Sequence, residues 1–375
     1  IWYLLNDGIW EKLEGTSKIR SMINKDLIYL YRDHLCHLSK KNIADEISED
    51  EKTKNSADIV ILGKLIAKLK NFGFVTEIIK QSIQYFKEDK FIEKLDTDPY
   101  ILCFGKDLFD LKTCEWRDTL PSDYCSLKCG VTKANINDKH ESLLHSIFLD
   151  IFGTEERKSY MINCFSSFLN GSNEKQLFHV WMGKGANGKS VIQGYFKAAF
   201  GDYFCDMPTS LITEKEGSSA QANPELCRGR GKRVAFFSEP QEGSKLNNSI
   251  IRKWSGGERI SCRGLYESSY QYDVLFKAII LCNTKFQMQD VSDDSIPRRC
   301  NYVDFKTKFD YNPRTSFQRL RNDKYGTIEH WNEMKGSFMN MLINNYIKLK
   351  ANNLKFDMPK CMIEDKDGFV DSQNE

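Results

Sequence analysis

The segment 183–190, GKGANGKS, contains the residue types that bind a polyphosphate. It fits the pattern G-x-x-x-x-G-K-[ST] at every position, with an apolar stretch before it and a stretch of helical periodicity after it. Glycines let backbone N–H groups approach phosphate oxygens, and the start of a helix adds the positive end of its dipole. The alternative is a glycine-rich turn without a ligand. We expect the whole segment to bind a nucleotide's phosphates: Gly183, Lys184, Gly185, Ala186, Asn187, Gly188, Lys189 and Ser190.

Two polar residues follow apolar stretches further along the chain and could complete this chemistry. Glu239 ends VAFFSE, where it could polarise a water for attack on the γ-phosphate or hold Mg²⁺ through water, although it could also be a surface strand end. Ser190 offers Mg²⁺ a hydroxyl. Ser238 stands where a second carboxylate is more usual, which leaves the direct metal ligand open. Asn283 ends KAIILCN, where an amide could orient the attacking water or simply form a turn.

A further group of residues is basic and lies around the pair Gly256-Gly257. The glycines predict a tight turn, and basic side chains can contact nucleic-acid phosphates. The tryptophan of the segment could stack on a base or pack beneath the turn. The alternative is a solvated basic loop. The segment IIRKWSGGERISCRG supplies Arg252, Lys253, Trp254, Arg259 and Arg263.

Two arginines, Arg298 and Arg299, stand immediately before the apolar stretch CNYVDF. An arginine at a subunit edge can enter a neighbour's nucleotide site as an arginine finger. Each could equally be an ordinary surface arginine.

The elements that must position these residues alternate between strands and helices from 177 to 305. Apolar strand-like stretches alternating with helical segments predict an α/β fold with a parallel sheet. Residues 1–95 show mainly helical periodicity, with the polar stretch 48–58 predicted as a solvated loop. Short strands with a turn at 105–107 are predicted after Tyr100. The segment SFMNMLINNYIKLKANN predicts a terminal helix, and the acidic tail past Ile363 is predicted to be frayed.

Composition limits the class of protein. A chain of 375 residues exceeds one hydrophobic core, so two or three structural units are expected. The formal net charge of +2 excludes a strongly basic coat for nucleic acid but not a local basic loop. The apolar stretches are too short for a membrane span, and we expect a fragment of a soluble protein without a signal peptide.

The 12 cysteines are scattered, which favours a reducing compartment over a disulfide framework. One set, Cys125, Cys129, His140 and His145, approaches the ligand spacing of a zinc finger. An amphipathic helix carrying one histidine explains ESLLHSIFLDIF better, so no zinc site is expected there.

In combination, these motifs resemble the superfamily three helicases. Their order is the phosphate-binding loop, the strand ending in Ser-Glu, the SGGER segment, the strand ending in Asn, and the arginine pair. The most similar group is the poxvirus-type primase–helicases of nucleocytoplasmic large DNA viruses. The stretches DPYILCFGKDLFDLKTCEWR and FLNGSNEKQLFHVWMGKGANGKS are also similar to the domain before the helicase and to its lead-in. The resemblance extends over roughly residues 90–360.

The resemblance implies an AAA+-like P-loop ATPase core of the α/β class that uses ATP and Mg²⁺. It implies a homo-hexameric ring around single-stranded or forked DNA, with other replication proteins as further partners and no membrane. Lys189 would bind phosphates, Glu239 would activate water and Asn283 would act as the sensor. Arg299, with Arg298 beside it, would be the finger in trans. The basic segment would form a hairpin in the ring channel, with Arg252 and Lys253 competing for the DNA-contacting position.

The domain organisation implied by the resemblance has four parts. They are a helical N-terminal region at 1–95, a mixed α/β domain at 96–165, the ATPase core at 166–306, and a C-terminal helical segment and tail at 307–375. A primase domain is expected only before Ile1, and primase activity is not assigned to this chain. The expected location is inside the host cell, in a cytoplasmic viral factory or the nucleus.

Three functions compete at this point. The first is an ATP-driven DNA helicase module of a viral replication protein. The second is an ATP-switched DNA-binding or assembly factor that does not unwind DNA, which the missing carboxylate at Ser238 favours. The third is a P-loop small-molecule kinase, which has no use for the basic segment.

Overall fold

A computed structural model describes residues 1–43, 47–213, 223–240, 244–264, 269–284, 286–288 and 295–373. The chain divides into two compact units, one made of Ile1–Asn6 and Trp10–Ile92 and the other of Asp7–Ile9 and Glu93–Glu375. Within the described ranges, no helix is both long and apolar enough to cross a membrane. The four domain boundaries predicted from the sequence stay predictions.

The N-terminal part of the chain starts with two strands and continues as helices. The bounds are β1 Trp2–Asn6, β2 Ile9–Leu13, α1 Ser17–Met22, a π-helical turn Ile23–Leu27, α2 Ile28–Ile43, α3 Glu49–Leu69, α4 Phe72–Phe86 and α5 Phe91–Lys94. Ile28, Ile66 and Leu69 form the small buried core of the helices.

The rest of the chain alternates between strands and helices, as the sequence predicts. The strands are β3 Ile101–Cys103, β4 Asp107–Asp110, β5 Glu115–Asp118, β6 Phe178–Met182, β7 Phe204–Met207, β8 Val234–Phe237, β9 Lys245–Leu246, β10 Arg259–Cys262, β11 Tyr270–Asp273, β12 Lys277–Cys282, β13 Gln287–Met288, β14 Cys300–Asp304, β15 Lys308–Asp310 and β16 Gln318–Leu320. The helices are α6 Glu141–Phe152, α7 Glu155–Ser167, α8 Lys189–Phe200, α9 Ser210–Thr213, α10 Pro224–Cys227, α11 Asn248–Ser255, α12 Ser295–Arg299, α13 Ile328–Ala351 and α14 Lys360–Asp371.

A five-stranded parallel sheet is the centre of the second unit. Its strand order is β14-β6-β12-β8-β7, and every neighbouring pair is parallel. The strand before the phosphate-binding segment, β6, therefore lies between β14 and β12. Because all five strands point the same way, the residues that follow them meet at one edge of the sheet. The α/β prediction with a parallel sheet is confirmed.

Helices cover both faces of this sheet, which explains why its strands are apolar at nearly every position. On one face, Trp181, Phe236 and Ile279 pack into a core shared with α6, α7, α8 and α13. On the other face, Phe237 and Ile280 pack into a core shared with α11. The alternation of side chains along each strand divides its residues between these two cores.

The solvated loop predicted at 48–58 is wrong, because these residues begin α3. The Ser48 side chain caps the helix by accepting a hydrogen bond from the Glu51 N–H at 3.3 Å. Glu49, Asp50 and Glu51 occupy the first turn, where negative charge favours the helix dipole. The polar composition therefore belongs to an exposed helix start.

The frayed tail predicted past Ile363 is also wrong, at least as far as Gln373; the last two residues lie outside the described ranges. Residues 360–371 form α14, in which Met362 is fully buried. The Phe369 ring stacks on Tyr302 of β14 with centroids 4.4 Å apart. Asp365 accepts hydrogen bonds from Arg157 and Lys306. Apolar packing and ion pairing together hold this acidic helix on the sheet.

Strands β1 and β2 were not expected in a region of mainly helical periodicity. They pair with each other, and the connecting residues Asp7 and Gly8 both have positive φ values, 47° and 80°. An Asp-Gly pair between apolar stretches is a hairpin signal, and it was present in the sequence.

Two buried cations fix the amino ends of the central strands to the preceding segments. Arg233, 1% exposed, donates hydrogen bonds to the carbonyls of Asp98, Ile101 and Gly231. Lys277 donates to two carbonyls further along the chain, those of residues 170 and 172, at 2.8 and 2.7 Å. Burial, together with the charge of Arg233, lowers the pKa of Lys277 to about 7.

We expect Lys277→Met to change the pH dependence of stability. The unfolded chain holds the Lys277 proton up to its ordinary pKa, so between pH 7 and about 10 it binds more protons than the folded chain. This group therefore makes the free energy of unfolding rise with pH, by up to about 1.4 kcal/mol per pH unit. Urea denaturation at several pH values in this range should show a smaller slope for Lys277→Met than for the exposed-site control Lys197→Met. Parallel slopes would contradict the assignment.

Candidate nucleotide and nucleic-acid site

The phosphate-binding segment forms a loop between β6 and α8, as its flanking patterns predict. Gly185, Ala186 and Gly188 all have positive φ values, which curl the backbone between the strand and the helix. The Gly183 N–H donates to the Cys282 carbonyl at 3.0 Å, and the Phe309 N–H donates to the Ala186 carbonyl at 2.7 Å. The loop is therefore held from both sides, and α8 starts directly after it.

Lys189 is the buried cation of this loop. It is 6% exposed, and its Nζ donates to the Gly183 carbonyl at 2.5 Å and to Asn283 Oδ1 at 3.2 Å. Burial lowers the pKa of Lys189, while the negative charges of Glu239 and Asp304 act in the opposite direction. An ammonium held by one carbonyl and one amide can transfer its hydrogen bonds to a phosphate oxygen.

Asn283 connects Lys189 to Glu239. Its side-chain Nδ2 donates to Glu239 Oε2 at 2.7 Å, and its backbone N–H donates to Oε1 at 3.0 Å. Thr284 adds its own N–H to Oε1 at 3.2 Å. The structure thus brings together Lys189, Asn283 and Glu239, which lie on three neighbouring strand ends.

Two residues near this cluster were not found from the sequence. Thr284 orients Glu239, and the only available signal was its position after the predicted asparagine. Asp304 ends β14 opposite Met182 of the loop strand, and burial raises its pKa. Its charge acts on Lys189, but its proximity depends on the strand order, which local patterns do not reveal.

The residues predicted to hold Mg²⁺ fit a metal bound largely by water and phosphate. Ser190 is exposed at the first turn of α8, and Glu239 is exposed beyond β8. Among the residues that the structure describes, no group of three or more His, Cys, Asp or Glu side chains is arranged to hold a metal ion. Mg²⁺ commonly takes one or two protein ligands and completes its shell with phosphates and waters. Such a metal would neutralise charge on the phosphates.

The zinc set considered from the sequence has other contacts in the structure. Cys125 and Cys129 are buried. His140 lies 3.9 Å from Glu333, and His145 lies 3.8 Å from Glu141.

A cavity of about 540 Å³ extends from the phosphate-binding loop. Ile147 and Ile151 of α6 form one wall, and Phe309 and Tyr325 contribute aromatic surface. Asn283 lines the same cavity. This volume lies within the roughly 300–1,000 Å³ typical of small-molecule sites.

The basic segment is divided between a helix and a hairpin. Arg252, Lys253 and Trp254 lie in α11, which ends at the predicted Gly256-Gly257 turn. Gly257 has a φ of 71°, and its N–H donates to the Trp254 carbonyl at 3.1 Å. The hairpin itself follows, as antiparallel strands β10 and β11. The prediction of a projecting hairpin across 251–259 is therefore wrong, because this stretch forms the helix that precedes it.

The side chains of this region have different roles in the structure. Trp254 is 5% exposed and contacts the rings of Phe237 and Phe276, with centroids 5.8 and 5.7 Å apart. Stacking on a base is wrong for a tryptophan buried in this way; it packs beneath the hairpin. Arg259 is exposed and pairs with Asp273 across the hairpin at 3.0 Å. The distal residue is Arg263, whose backbone carbonyl accepts from the Asn223 N–H.

The two arginines of α12 differ in environment. Arg298 is exposed. Arg299 is partly buried, and its Nη1 lies 3.5 Å from the Ser255 hydroxyl of α11.

Comparison with known proteins places this chain among proteins of large DNA viruses. Residues 1–148 match the family model described as "D5 N terminal like". A protein of Acanthamoeba polyphaga mimivirus named "Putative helicase" is 29% identical over 82% of this chain and 32% of its own length. A protein of African swine fever virus named "Putative primase" is 21% identical over 82% of this chain and 34% of its own length. The chain spans about a third of the length of these curated relatives.

Among solved structures, the apo A form of the NrS-1 C-terminal region aligns with a TM-score of 0.48 and 14% identity. The alignment covers 67% of this chain and 55% of that one.

The two flexible glycines of the loop give a matched pair of variants. We expect Gly185→Ala to lower the free energy of unfolding by about 1–2 kcal/mol, because its φ of 57° is left-handed but a Cβ there meets open space. Gly188→Ala should cost a further 1–3 kcal/mol or so, because its Cβ would lie 2.6 Å from Ile151 Cγ1. Chemical denaturation measures both. Equal losses would show that the contact with Ile151 does not constrain the loop.

Proposed function

This chain is a relative of the helicase- and primase-named proteins of nucleocytoplasmic large DNA viruses, and from that premise we propose that it is an ATP-dependent DNA helicase module of superfamily three. In this proposal the α/β unit is an AAA+-like P-loop ATPase core that uses ATP and Mg²⁺ in viral DNA replication. The connection from Lys189 through Asn283 to Glu239 carries the proposal. It joins a phosphate-binding cation to a candidate general base through a single amide.

The amide can relay the state of the nucleotide. Asn283 accepts from Lys189 with Oδ1 and donates to Glu239 with Nδ2. A γ-phosphate that takes the Lys189 hydrogen bonds removes one of the two contacts that fix this amide. Glu239, an exposed carboxylate, is then free to orient the water that attacks the phosphate. The metal would supply charge neutralisation, while Lys189 and the loop N–H groups position the phosphates.

The hairpin has a mechanical connection to the same site. Trp254, beneath the hairpin, contacts Phe237 of the strand that leads to Glu239. It also contacts Phe276, which immediately precedes the strand that leads to Asn283. A displacement of either strand end can therefore reach α11 and the hairpin that follows it. Arg252, Lys253, Arg259 and Arg263 are the proposed contacts to DNA phosphates.

We place the site at the edge between subunits of a homo-hexameric ring. A finger in trans must reach out of its own subunit, and of the two arginines Arg298 is the exposed one. Arg299 faces Ser255 within its own subunit, so we assign Arg298 the finger role and Arg299 a supporting one. The proposal places the protein with other replication proteins in a cytoplasmic viral factory or the nucleus.

One observation favours a second candidate function. Ser238 leaves a single carboxylate, Glu239, beyond β8, and a site with weak hydrolysis would suit an ATP-switched DNA-binding or assembly factor. Such a factor would bind DNA in the presence of ATP and form rings without unwinding a duplex.

We expect Lys189→Ala to reduce ATP hydrolysis by roughly 10- to 150-fold, because a charge-assisted hydrogen bond contributes about 1.5–3 kcal/mol. The control is Lys197→Ala, an exposed lysine further along α8 that faces Asp206. Steady-state phosphate release with and without single-stranded DNA measures the effect. If Lys189→Ala hydrolyses ATP as fast as the control, the nucleotide site has been assigned to the wrong residues.

We expect the 375-residue chain to unwind forked DNA with ATP, and Arg263→Ala to lose most of that unwinding and of the DNA stimulation of ATP hydrolysis. Arg228→Ala, an exposed arginine paired with Glu225 outside the hairpin, is the matched control. Strand displacement and the salt dependence of DNA binding are the measurements. ATP-dependent DNA binding by the parent chain without any strand displacement would instead support the assembly factor.

A further inference from the structure

The cavity beside the phosphate-binding loop has two chemically different ends. At one end are the loop N–H groups and Lys189, which suit a polyanion. At the other end are the side chains of Ile147, Ile151 and Phe309, which suit a flat apolar group. A ligand that fills both ends has a polyphosphate tail and an aromatic head.

The position of the aromatic wall is fixed relative to the loop. The Phe309 N–H donates to the Ala186 carbonyl at 2.7 Å, so β15 is hydrogen-bonded to the phosphate-binding loop itself. On the opposite side, Ile151 lies directly beneath Gly188, where a Cβ would come within 2.6 Å of it. Both walls therefore move with the loop and keep their distance from the phosphates.

The rim of the cavity is polar and internally connected. Arg321 Nε donates to Asp323 Oδ1 at 2.7 Å, and the Tyr311 hydroxyl donates to Asp323 Oδ2 at 2.5 Å. Tyr325 continues the same segment, and its carbonyl accepts from Trp331 Nε1 at 2.9 Å. These contacts hold residues 321–326 against α13, so the segment closes the cavity as a fixed wall.

We propose that residues 309 and 321–326, together with Ile147 and Ile151, form the nucleoside pocket of this protein. The base packs between the aliphatic wall of α6 and the ring of Phe309, and the ribose faces the polar rim at Arg321 and Asp323. This assignment rests on the proposed function, because it takes the ligand of the loop to be a nucleoside triphosphate. It adds that base recognition comes from the segment after β14, outside the sheet that binds the phosphates.

A comparison of ATP with inorganic tripolyphosphate tests the pocket, because tripolyphosphate has the tail of ATP but no nucleoside. In calorimetry with Mg²⁺, Phe309→Ala should weaken ATP binding by roughly 5- to 150-fold, the range for removal of one base-stacking ring. Its tripolyphosphate affinity should stay within about twofold of the parent chain. Phe317→Ala is the matched control, since this exposed phenylalanine lies in the same segment but not in the cavity wall.

The remaining outcomes separate the pocket from the function on which it rests. Unchanged ATP affinity in Phe309→Ala, with both ligands weakened in Lys189→Ala, would overturn the pocket and leave the phosphate site in place. Equal weakening of both ligands in Phe309→Ala would also overturn it, because the residue would then only support the loop. Phe309→Leu, which keeps an apolar side chain on β15, should show the same selective but smaller loss of ATP affinity. If Lys189→Ala binds both ligands as the parent does, the proposed function itself fails.

Discussion

The hydrogen bonds that join Lys189, Asn283 and Glu239 are the interaction on which the rest of the site depends. They exist only because β6, β12 and β8 are parallel neighbours whose carboxyl ends meet at one edge. The two apolar cores hold those strands in register, and the helices over both faces exclude water from everything except that edge. A cation, an amide and a carboxylate thus meet where the backbone leaves the sheet and can be reached by a ligand.

The same edge is connected to the basic hairpin through apolar packing. Trp254 lies between rings that precede the two strand ends, so the catalytic candidates and the DNA-binding candidates share one densely packed core. Protein interiors pack closely and transmit displacement well. The residues that touch DNA in the proposal need no direct contact with the nucleotide to respond to it.

Local patterns predicted the strands, the phosphate-binding loop and the polar strand ends, because each of these depends on neighbours in sequence. The roles of Thr284, Phe309 and Ile151 depend on which elements lie side by side, and that information is not local. The sequence left two roles open for Trp254, and only burial decides between them. The errors at 48–58 and past Ile363 have one cause, since polar residues were taken as loop where capping and ion pairs stabilise helices.

The attachment of α14 has a consequence for how far the chain can be shortened. Arg157, 6% exposed, donates to Asp365 of α14 at 2.8 Å and to the Asp304 carbonyl of β14 at 2.6 Å. A protein trimmed before Lys360 would keep this guanidinium in the interior without its counter-charge, a penalty of about 3–5 kcal/mol. The brace lost in this way borders the strand beside the nucleotide loop. The C-terminal helix is therefore an integral part of the ATPase unit, and its removal would loosen the loop from a distance.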